Sequence, residues 1–335
     1  MSASGPADGA LAADGAPGHV QRAAPLRWLV LGLGRAGTAR VRDLQASPDH
    51  HLVAALGARS DQAALQAAIG DPDIDAVAVC TDNASHPAWV EAALAAGHHV
   101  LCEFPLAPTA EGCAALLADA ARRQRVLHVE AIGLLTDAQR ALLAVRRDIA
   151  TLDCAFAGDC YRWVADEVRA GHLGQLAIGR LLALWQLVGP LTLVDVRCQV
   201  ALAPPPGGST ASDVAKGVDV AAQDDQAPSF QLHAELHGAA GQKVTLREAR
   251  GPGVARESSL RASDVDGREL GFRAAHRSGP GLFAADLAAF AERVASGDRR
   301  GRYVADADLI AVTALAEAIS VAARQAAAEP RPPPP

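Results

Sequence analysis

The stretch that decides the fold is LRWLVLGLGRAGTAR, residues 26–40, an apolar run that ends in three spaced glycines. The apolar run predicts a buried β-strand, and the residues from Arg35 onward have helical spacing. Gly32, Gly34 and Gly37 form the pattern Gly-x-Gly-x-x-Gly where the strand gives way to the helix. In that context the glycines allow a tight turn and bring backbone N–H groups against a pyrophosphate. The stretch therefore predicts a dinucleotide-binding domain.

Strands and helices keep alternating after this stretch, up to about Val129. Near-continuous apolar strands separated by helices are typical of a parallel sheet that is covered on both faces. We therefore predict that residues 25–133 form a Rossmann domain. The further strands are expected in HLVAALG, DAVAVC, HHVLCE and RVLHVE.

The second half of the chain has a different pattern. A helical stretch is expected from about Leu134 to Leu187, and five segments then alternate apolar and polar residues. A period of two predicts antiparallel strands with one face in the core and one face open. Two helices close the chain, so residues 134–328 are predicted to form an α+β domain. The fold class is therefore α/β, with an N-terminal parallel sheet and a C-terminal, largely antiparallel, open-faced sheet. The five segments are LTLVDVRCQVAL, SFQLHAELHG, QKVTLREARG, VARESSLRAS and GRELGFRAA.

Three segments have the composition of chain outside these domains. Residues 1–24 are small and polar and are expected to be a disordered tail. Residues 203–228 are too long and polar for a hairpin turn, and they predict a flexible insertion. Residues 329–335 are expected to be a proline-rich tail.

Composition excludes several classes of function. The net charge is −7 without a basic patch, which argues against nucleic acid as a partner. No apolar stretch has the length of a membrane span, and no secretory signal is visible at the N-terminus. The six cysteines lack metal-binding spacing. We expect a cytoplasmic protein without a metal site, as a monomer or a homo-oligomer.

The end of the second predicted strand bears on the type of dinucleotide. An NAD enzyme usually carries an acidic residue there for the ribose hydroxyls, but this strand is followed by Arg59 and Ser60. A guanidinium and a hydroxyl favour a 2′-phosphate, so NADPH is expected, with NADH left open. His86 could equally be part of the site or of a helix start. The residues expected to contact the cofactor are Gly32, Leu33, Gly34, Arg35, Ala36, Gly37, Arg59, Ser60, Thr81, Asn83, His86 and Glu103.

The fourth predicted strand ends in Glu103-Phe104-Pro105. A glycine-rich cofactor domain followed by a one-faced sheet resembles the glucose-fructose oxidoreductase/inositol dehydrogenase/MocA-like superfamily. In the sugar-oxidising members a lysine stands in the position of Phe104, and it helps catalysis at a hydroxyl. The chain has only two lysines, Lys216 in the predicted insertion and Lys243 at a turn. Because oxidation of an alcohol needs a base, a flat apolar substrate is favoured over a sugar.

One branch of this superfamily, the biliverdin reductases, is similar from about Leu26 to Val294. The similarity rests on GLGRAGTARVRDL (32–44), DIDAVAVCTDNASH, AGHHVLCEFPL and RVLHVE. It implies an NADPH-dependent reductase that passes a hydride to the central methine of biliverdin and forms bilirubin, a step of heme catabolism. The branch usually has tyrosine where Phe104 stands, and its acidic segment after the fifth strand is reduced here to His128-Val129-Glu130.

This resemblance implies roles for particular residues. Arg180, Glu103 and Tyr161 are the candidate catalytic residues, with a water oriented by Arg180 as a possible proton source, since a guanidinium is a poor donor on its own. Arg180 could instead form an ion pair on a helix surface, and His128 could be a core histidine. The residues expected to contact the bilin are Phe104, Arg162, Arg180, Arg247, His128 and Glu130.

Two other interpretations stay open. The chain could reduce or oxidise a different small carbonyl or sugar-like substrate with the same cofactor. It could also be a cofactor-binding regulator without turnover, because a dead site would equally lack an acid at Phe104.

Overall fold

The computed structural model describes residues 25–57, 60–159, 177–201, 229–270, 281–297 and 304–328. The predicted tails and the predicted insertion lie outside the described residues. So do three candidate site residues, Arg59, Tyr161 and Arg162.

The first sheet is parallel and has the strand order β2-β1-β3-β4-β5. The chain moves outward from β1 in both directions, so the ends of β1 and β3 form the switch point where α/β sheets bind ligands. The Rossmann domain predicted from the glycine pattern is therefore confirmed. Its strands are β1 (Leu26–Leu31), β2 (His50–Leu56), β3 (Ala76–Val79), β4 (His99–Cys102) and β5 (Leu127–Val129); its helices are α1 (Arg35–Ala46), α2 (Gln62–Ile69), α3 (His86–Ala95) and α4 (Ala110–Arg122).

The second sheet has the order β10-β6-β9-β8-β7 and is antiparallel except between β6 and β9. Its strands are β6 (Thr151–Gly158), β7 (Thr192–Ala201), β8 (Ser229–His237), β9 (Lys243–Arg250) and β10 (Glu257–Ser263). The helices of this half are α5 (Asp137–Ala144), α6 (Ile178–Val188), α7 (Leu282–Ser296) and α8 (Asp306–Ala328), with 3-10 turns at Ile132–Leu135 and Arg146–Asp148. The predicted largely antiparallel sheet is thus confirmed.

One detail of this half was predicted wrongly. The stretch from Leu134 to Leu187 is not wholly helical, because β6 lies within it. The alternation of buried Leu152 and Cys154 with more exposed neighbours is the strand signal that was missed. The last predicted strand, GRELGFRAA, is described only as far as residue 270, where Glu269 forms a bridge with Ser263, and its remaining residues lie outside the described part.

One face of the second sheet packs under helices and the other is open. Leu152, Leu232 and Leu246 are buried on the packed face, which α6 and α8 cover. The open face carries polar side chains and a trough of about 710 Å³ floored by small residues such as Ala155 and Ala249. The sheet is therefore open on one side, as the period-two pattern predicts.

Helix α7 leaves the second half of the chain and packs on the parallel sheet. Phe290 of α7 contacts Trp28 of β1, with their ring centroids 4.9 Å apart, and neither side chain is exposed. Leu287 joins the same buried cluster as Val30 and Leu44. The predicted domain boundary between residues 133 and 134 stays a prediction. In the structure, α7 from the second half of the chain covers part of the parallel sheet.

Candidate active site

The glycine loop lies flat against the end of β3. Gly32 has φ +91°, and a Cβ there would lie 2.4 Å from the carbonyl oxygen of Cys80. A Cβ at Gly37 would lie 1.8 Å from the carbonyl oxygen of Gly32, so both positions require glycine. At Gly34 a Cβ would meet nothing within 4 Å. The space before the N-terminus of α1 is thus open, and its N–H groups and helix dipole suit a pyrophosphate.

The other candidate cofactor contacts of this loop surround that space. Leu33 and Arg35 are exposed at its edge, and Ala36 is half-buried against the core under β1. Ser60 is half-buried shortly after β2 and next to Arg59, which lies outside the described residues. The residues of the glycine loop fit a dinucleotide. The preference for NADPH over NADH stays a prediction, because it rests on Arg59.

The segment after β3 is held to the end of β4 by His86. Its Nδ1 lies 2.7 Å from the carbonyl oxygen of Pro105, and its Nε2 lies 3.2 Å from that of Thr81. Burial lowers the pKa of His86, against the effect of the two carbonyl groups, so the ring is neutral. Since His86 is 1% exposed, it supports the site from behind. Thr81 is half-buried and accepts a bond from Ser85, whereas Asn83 is buried.

A buried arginine, Arg40, lies at the centre of the polar structure beneath the cofactor loop. Its Nε and Nη2 donate to Oε1 of Glu103 at 3.1 and 3.0 Å, and its Nη2 also donates to Asp286 at 2.6 Å. Burial works against the charge of Arg40, but Glu103 and Asp286 outweigh it and raise its pKa above the ordinary arginine value. Glu103 therefore anchors α1 to β4, which makes it a positioning residue in this structure.

His128 lies on the far side of Asp286 from Arg40. Its Nε2 donates to Asp286 at 2.9 Å, and its Nδ1 accepts from Arg293 at 3.2 Å. Burial lowers the pKa of His128 in spite of Asp286. Because the ring is 2% exposed and both nitrogens are engaged, this structure places His128 as a hydrogen-bonded core histidine.

The carboxyl ends of β4 and β5 present Glu103, Phe104 and Glu130, which together we call the mouth. Phe104 is half-buried and packs against the hydrophobic core. Glu130 is also partly exposed, and its carboxylate accepts a bond from the Ile132 N–H at 2.8 Å. Burial, and then the neighbouring Glu103, raise the pKa of Glu130 to about 8. The mouth thus combines an aromatic wall with a carboxyl group whose pKa is raised well above its ordinary value.

A second group of charged and aromatic side chains lies on the packed face of the second sheet. The Phe156 ring is flanked by the guanidiniums of Arg180 and Arg250, at 4.5 and 4.2 Å from its centroid. Both arginines contact the fully buried carboxylate of Glu248. Exposed Arg256 lies 5.8 Å from the same ring. We call these five residues the arginine cluster.

The arginine cluster and the mouth are joined through α6. A Cβ at Gly133, three residues after Glu130, would lie 3.9 Å from the carbonyl oxygen of Gly179. Arg180 is the next residue along α6. Arg180 was predicted to contact a substrate or to form an ion pair, and the structure shows the ion pair at a place next to the mouth.

Arg247 is not part of this arrangement. It neighbours Glu248 on β9 and therefore points to the opposite face of the sheet. There it pairs with Asp153 at 2.6 Å, on the rim of the open-face trough. The expectation that Arg247 contacts the same substrate as Arg180 does not agree with this placement.

Several residues of the site were not predicted, although the sequence carried signals for two of them. Gly37, Arg40 and Leu44 lie three and four residues apart and therefore share the inward face of α1. An arginine on a buried helix face predicts acidic partners for its charge. Glu248 stands in the apolar register of Val244 and Leu246, where a lone carboxylate predicts a buried ion pair. Asp286 lacked such a signal, because its partners lie far away in the sequence.

The described residues show neither a helix that is long and apolar enough to cross a membrane nor a group of three potential metal ligands.

Comparison with known proteins gives matches at the level of sequence and of fold. The profile of an oxidoreductase family with an NAD-binding Rossmann fold, Gfo/Idh/MocA, matches residues 26–131. The chain is 31% identical over 180 residues to biliverdin reductase A of Mus musculus, which covers 50% of this chain and 59% of that protein. It is 30% identical over 346 residues to the dTDP-3,4-didehydro-2,6-dideoxy-alpha-D-glucose 3-reductase of Streptomyces violaceoruber, which covers 92% of this chain and 98% of that protein.

Among solved structures, biliverdin reductase from Synechocystis sp. PCC 6803, in complex with biliverdin and NADP+, has a TM-score of 0.69 at 22% identity. That match covers 89% of this chain and 99% of the other, and it shows a shared fold. The mouse protein is matched over less than two thirds of its length, whereas the Streptomyces reductase is matched over nearly all of it.

Proposed function

The chain belongs to the Gfo/Idh/MocA oxidoreductase family, and within that family we propose that it is an NADPH-dependent reductase of a linear tetrapyrrole. Residues 26–131 are an NAD(P)-binding Rossmann domain. The observation that carries the proposal is Phe104, an aromatic side chain on the mouth where a sugar-oxidising enzyme needs a base. Lys243, the lysine among the described residues, lies at the opposite end of β9 from Arg250, roughly 23 Å away at 3.3 Å per residue.

The apolar wall suits a conjugated ring system better than a polyol. Phe104 is half-buried and packs on the core, so its exposed part offers a fixed surface for stacking. Reduction at a methine carbon needs a stacked nicotinamide, which supplies the hydride, and a flat slot that excludes water. The mouth provides the slot through side chains that are already ordered by Arg40 and His86.

The arginine cluster matches the acidic part of such a substrate. A bilin carries two propionates, and the cluster sets the guanidiniums of Arg180, Arg250 and Arg256 against one carboxylate, Glu248. Guanidiniums that are held in place by Glu248 and Phe156 lose little entropy when they bind a carboxylate. Because α6 joins the cluster to the mouth, propionates bound there would leave the tetrapyrrole plane directed at Phe104.

The expected products are bilirubin and the oxidised cofactor. The preference for NADPH rests on Arg59 and Ser60 in the sequence, and NADH stays possible. The names of the mouse and cyanobacterial proteins support the bilin as substrate, although the former match covers 59% of that protein and the latter shows the fold alone.

A second candidate is the reduction of a nucleotide-linked keto sugar. It is favoured by the similarity that spans 98% of the Streptomyces 3-reductase. The arginine cluster would then bind phosphates in place of propionates. A regulator that binds cofactor and pigment without turnover is the third.

An absorbance scan separates these functions. Purified protein with biliverdin and NADPH should lose the red absorption of the pigment and gain a yellow absorption, and the reaction with NADH should be slower. Pigment that binds without bleaching would support the regulator. Absence of pigment binding, with NADPH oxidation on addition of a nucleotide-linked keto sugar, would support the second candidate and refute the first.

A further inference from the structure

Two carboxyl groups meet at the mouth. Glu103 and Glu130 follow adjacent parallel strands, and the N–H of Glu130 donates to the carbonyl oxygen of Cys102 at 2.8 Å. Neighbouring strands lie about 4.8 Å apart, so each carboxyl feels the charge of the other. Both side chains are partly exposed.

The charged groups around this pair are distributed unequally. Arg40 approaches from α1 and is shared by Glu103 and Asp286, the latter on α7. His128, on β5, is neutral and is occupied by Asp286 and Arg293. The Glu130 carboxyl accepts a hydrogen bond from the backbone N–H of Ile132. Within the described part of the chain, Arg40 contacts Glu103 and therefore stabilises negative charge there.

Because the two carboxyls follow paired positions of adjacent strands, ionisation of one disfavours ionisation of the other, and they titrate as a pair. Burial raises the pKa of Glu103 as well, but there Arg40 opposes it through both its charge and its hydrogen bonds. Since Arg40 contacts Glu103, we assign the shared proton of the pair to Glu130. Burial and the charge of Glu103 raise the pKa of Glu130, and the charge of Asp286 adds to this effect, whereas the Ile132 N–H and Arg40 oppose it.

We propose that Glu130 is the proton donor of the reduction. When a hydride adds to the methine carbon of the bilin, the electron pair of the broken π bond moves to a pyrrole nitrogen. The O–H bond of Glu130 then breaks, an N–H bond forms at that nitrogen, and solvent returns a proton to the carboxylate. The step rests on the proposed function, and reduction of a keto sugar would need the same proton at the carbonyl oxygen.

The test compares Glu130→Gln with the wild type. Glutamine keeps an oxygen for the Ile132 N–H but has no acidic proton. At pH 7 we expect kcat to fall about 10²- to 10⁴-fold, the range of general acid catalysis, with KM and NADPH affinity little changed. The kcat of the wild type should fall above a pH of about 8, and the variant should lose this dependence. Glu130→Asp should recover part of the rate.

A matched control is Glu235→Gln, an exposed glutamate on the open face that pairs with His233. It should leave the rate and its pH dependence as in the wild type. A second readout needs no substrate: the infrared spectrum of the wild type at pH 7 should contain a protonated-carboxyl C=O band that is missing from Glu130→Gln.

Wild-type rates and pH dependence in Glu130→Gln would overturn the proposal and leave the source of the proton to a water oriented by Arg180. So would absence of the infrared band. If the wild type does not reduce biliverdin, the proposed substrate is refuted, and the same variants are compared with the nucleotide-linked keto sugar. Failure of the substrate and failure of the proton donor are thereby distinguished.

Discussion

Asp286 of α7 and Arg40 of α1 lie 2.6 Å apart, and neither side chain has any exposed surface. They are 246 residues apart in the sequence. Their ion pair, with Glu103 and His128 on either side, connects the last part of the chain to the helix that carries the cofactor loop. Stability, cofactor binding and the shape of the mouth are therefore linked through these few side chains.

Asp286→Asn should destabilise the protein strongly. Arg40 would keep Glu103 but lose the buried charge of Asp286, and breaking a buried ion pair costs about 3–5 kcal/mol. Urea unfolding would measure this loss. Asp73→Asn is the control, because Asp73 pairs with Arg27 at an exposed site, where the expected effect is below about 1 kcal/mol. Equal effects of the two substitutions would show that burial of Arg40 is not what stabilises α1.

Gly34→Asp should abolish cofactor binding while the fold is kept. A Cβ at Gly34 meets nothing within 4 Å, and φ is −70°, so the backbone accepts a side chain. A carboxylate there would face the pyrophosphate, and like charges in contact cost several kcal/mol, which raises the Kd for NADPH more than about a hundredfold. Calorimetric titration measures the Kd, and Gly34→Ala separates the effect of charge from that of volume. Undiminished affinity in Gly34→Asp would place the pyrophosphate elsewhere.

Arg180→Met should weaken substrate binding more than Arg247→Met. Arg180 belongs to the arginine cluster, and loss of a charge-assisted hydrogen bond of about 1.5–3 kcal/mol lowers kcat/KM for biliverdin roughly tenfold to a hundredfold. Arg247 lies one residue from Glu248 but on the other face, where it pairs with Asp153. Steady-state kinetics of both variants decide the matter. A larger effect of Arg247→Met would move the substrate to the open face.

Phe104→Tyr should be tolerated. The ring is only half-buried against the core, so we expect that a hydroxyl can be solvated at its exposed part. We expect kcat/KM for biliverdin to change by less than about threefold, which is under 1 kcal/mol. A rate loss far beyond that range would mean that Phe104 does more than form a wall.

The stability of the protein should depend on pH through Glu130. Its pKa in the folded protein, about 8, lies above the ordinary value of 4.5, so the folded state holds an extra proton between these values. The free energy of unfolding therefore falls as pH rises through this window. Glu130→Gln lacks this titration and should gain stability relative to the wild type between pH 5 and pH 9, by a few kcal/mol at most, since each pKa unit is worth about 1.4 kcal/mol. Thermal unfolding of both proteins across this range tests the sign.

Much of the fold follows from short-range pattern. Gly32 and Gly37 are fixed by contacts within a few residues or with the adjacent strand, so the sequence motif was enough to place the cofactor loop. The alternation in β7 to β10 likewise survives in the structure, because one face is packed and the other is wet. Strand β6 was missed because its alternation is short and it follows two helical segments.

The candidate site was harder to predict because its parts meet through tertiary contacts. His128 and Glu103 are polar residues at strand ends, and the sequence does not say that Asp286 and Arg40 would occupy them. Arg247 and Glu248 are consecutive residues of β9 and therefore point to opposite faces of the sheet. Which residue points to the packed face depends on the register of the strand in the sheet. Arg59, Tyr161 and Arg162 stay predictions.

Phe290 against Trp28 also has a consequence for biosynthesis. A nascent chain that has left the ribosome only as far as residue 133 still lacks the helix that covers one side of its first sheet. That apolar surface stays wet until residues 282–296 have been translated, so the interval invites chaperone binding or aggregation. The dinucleotide-binding domain is therefore the first part of the chain to be synthesised, but its core is complete only after α7 has been synthesised.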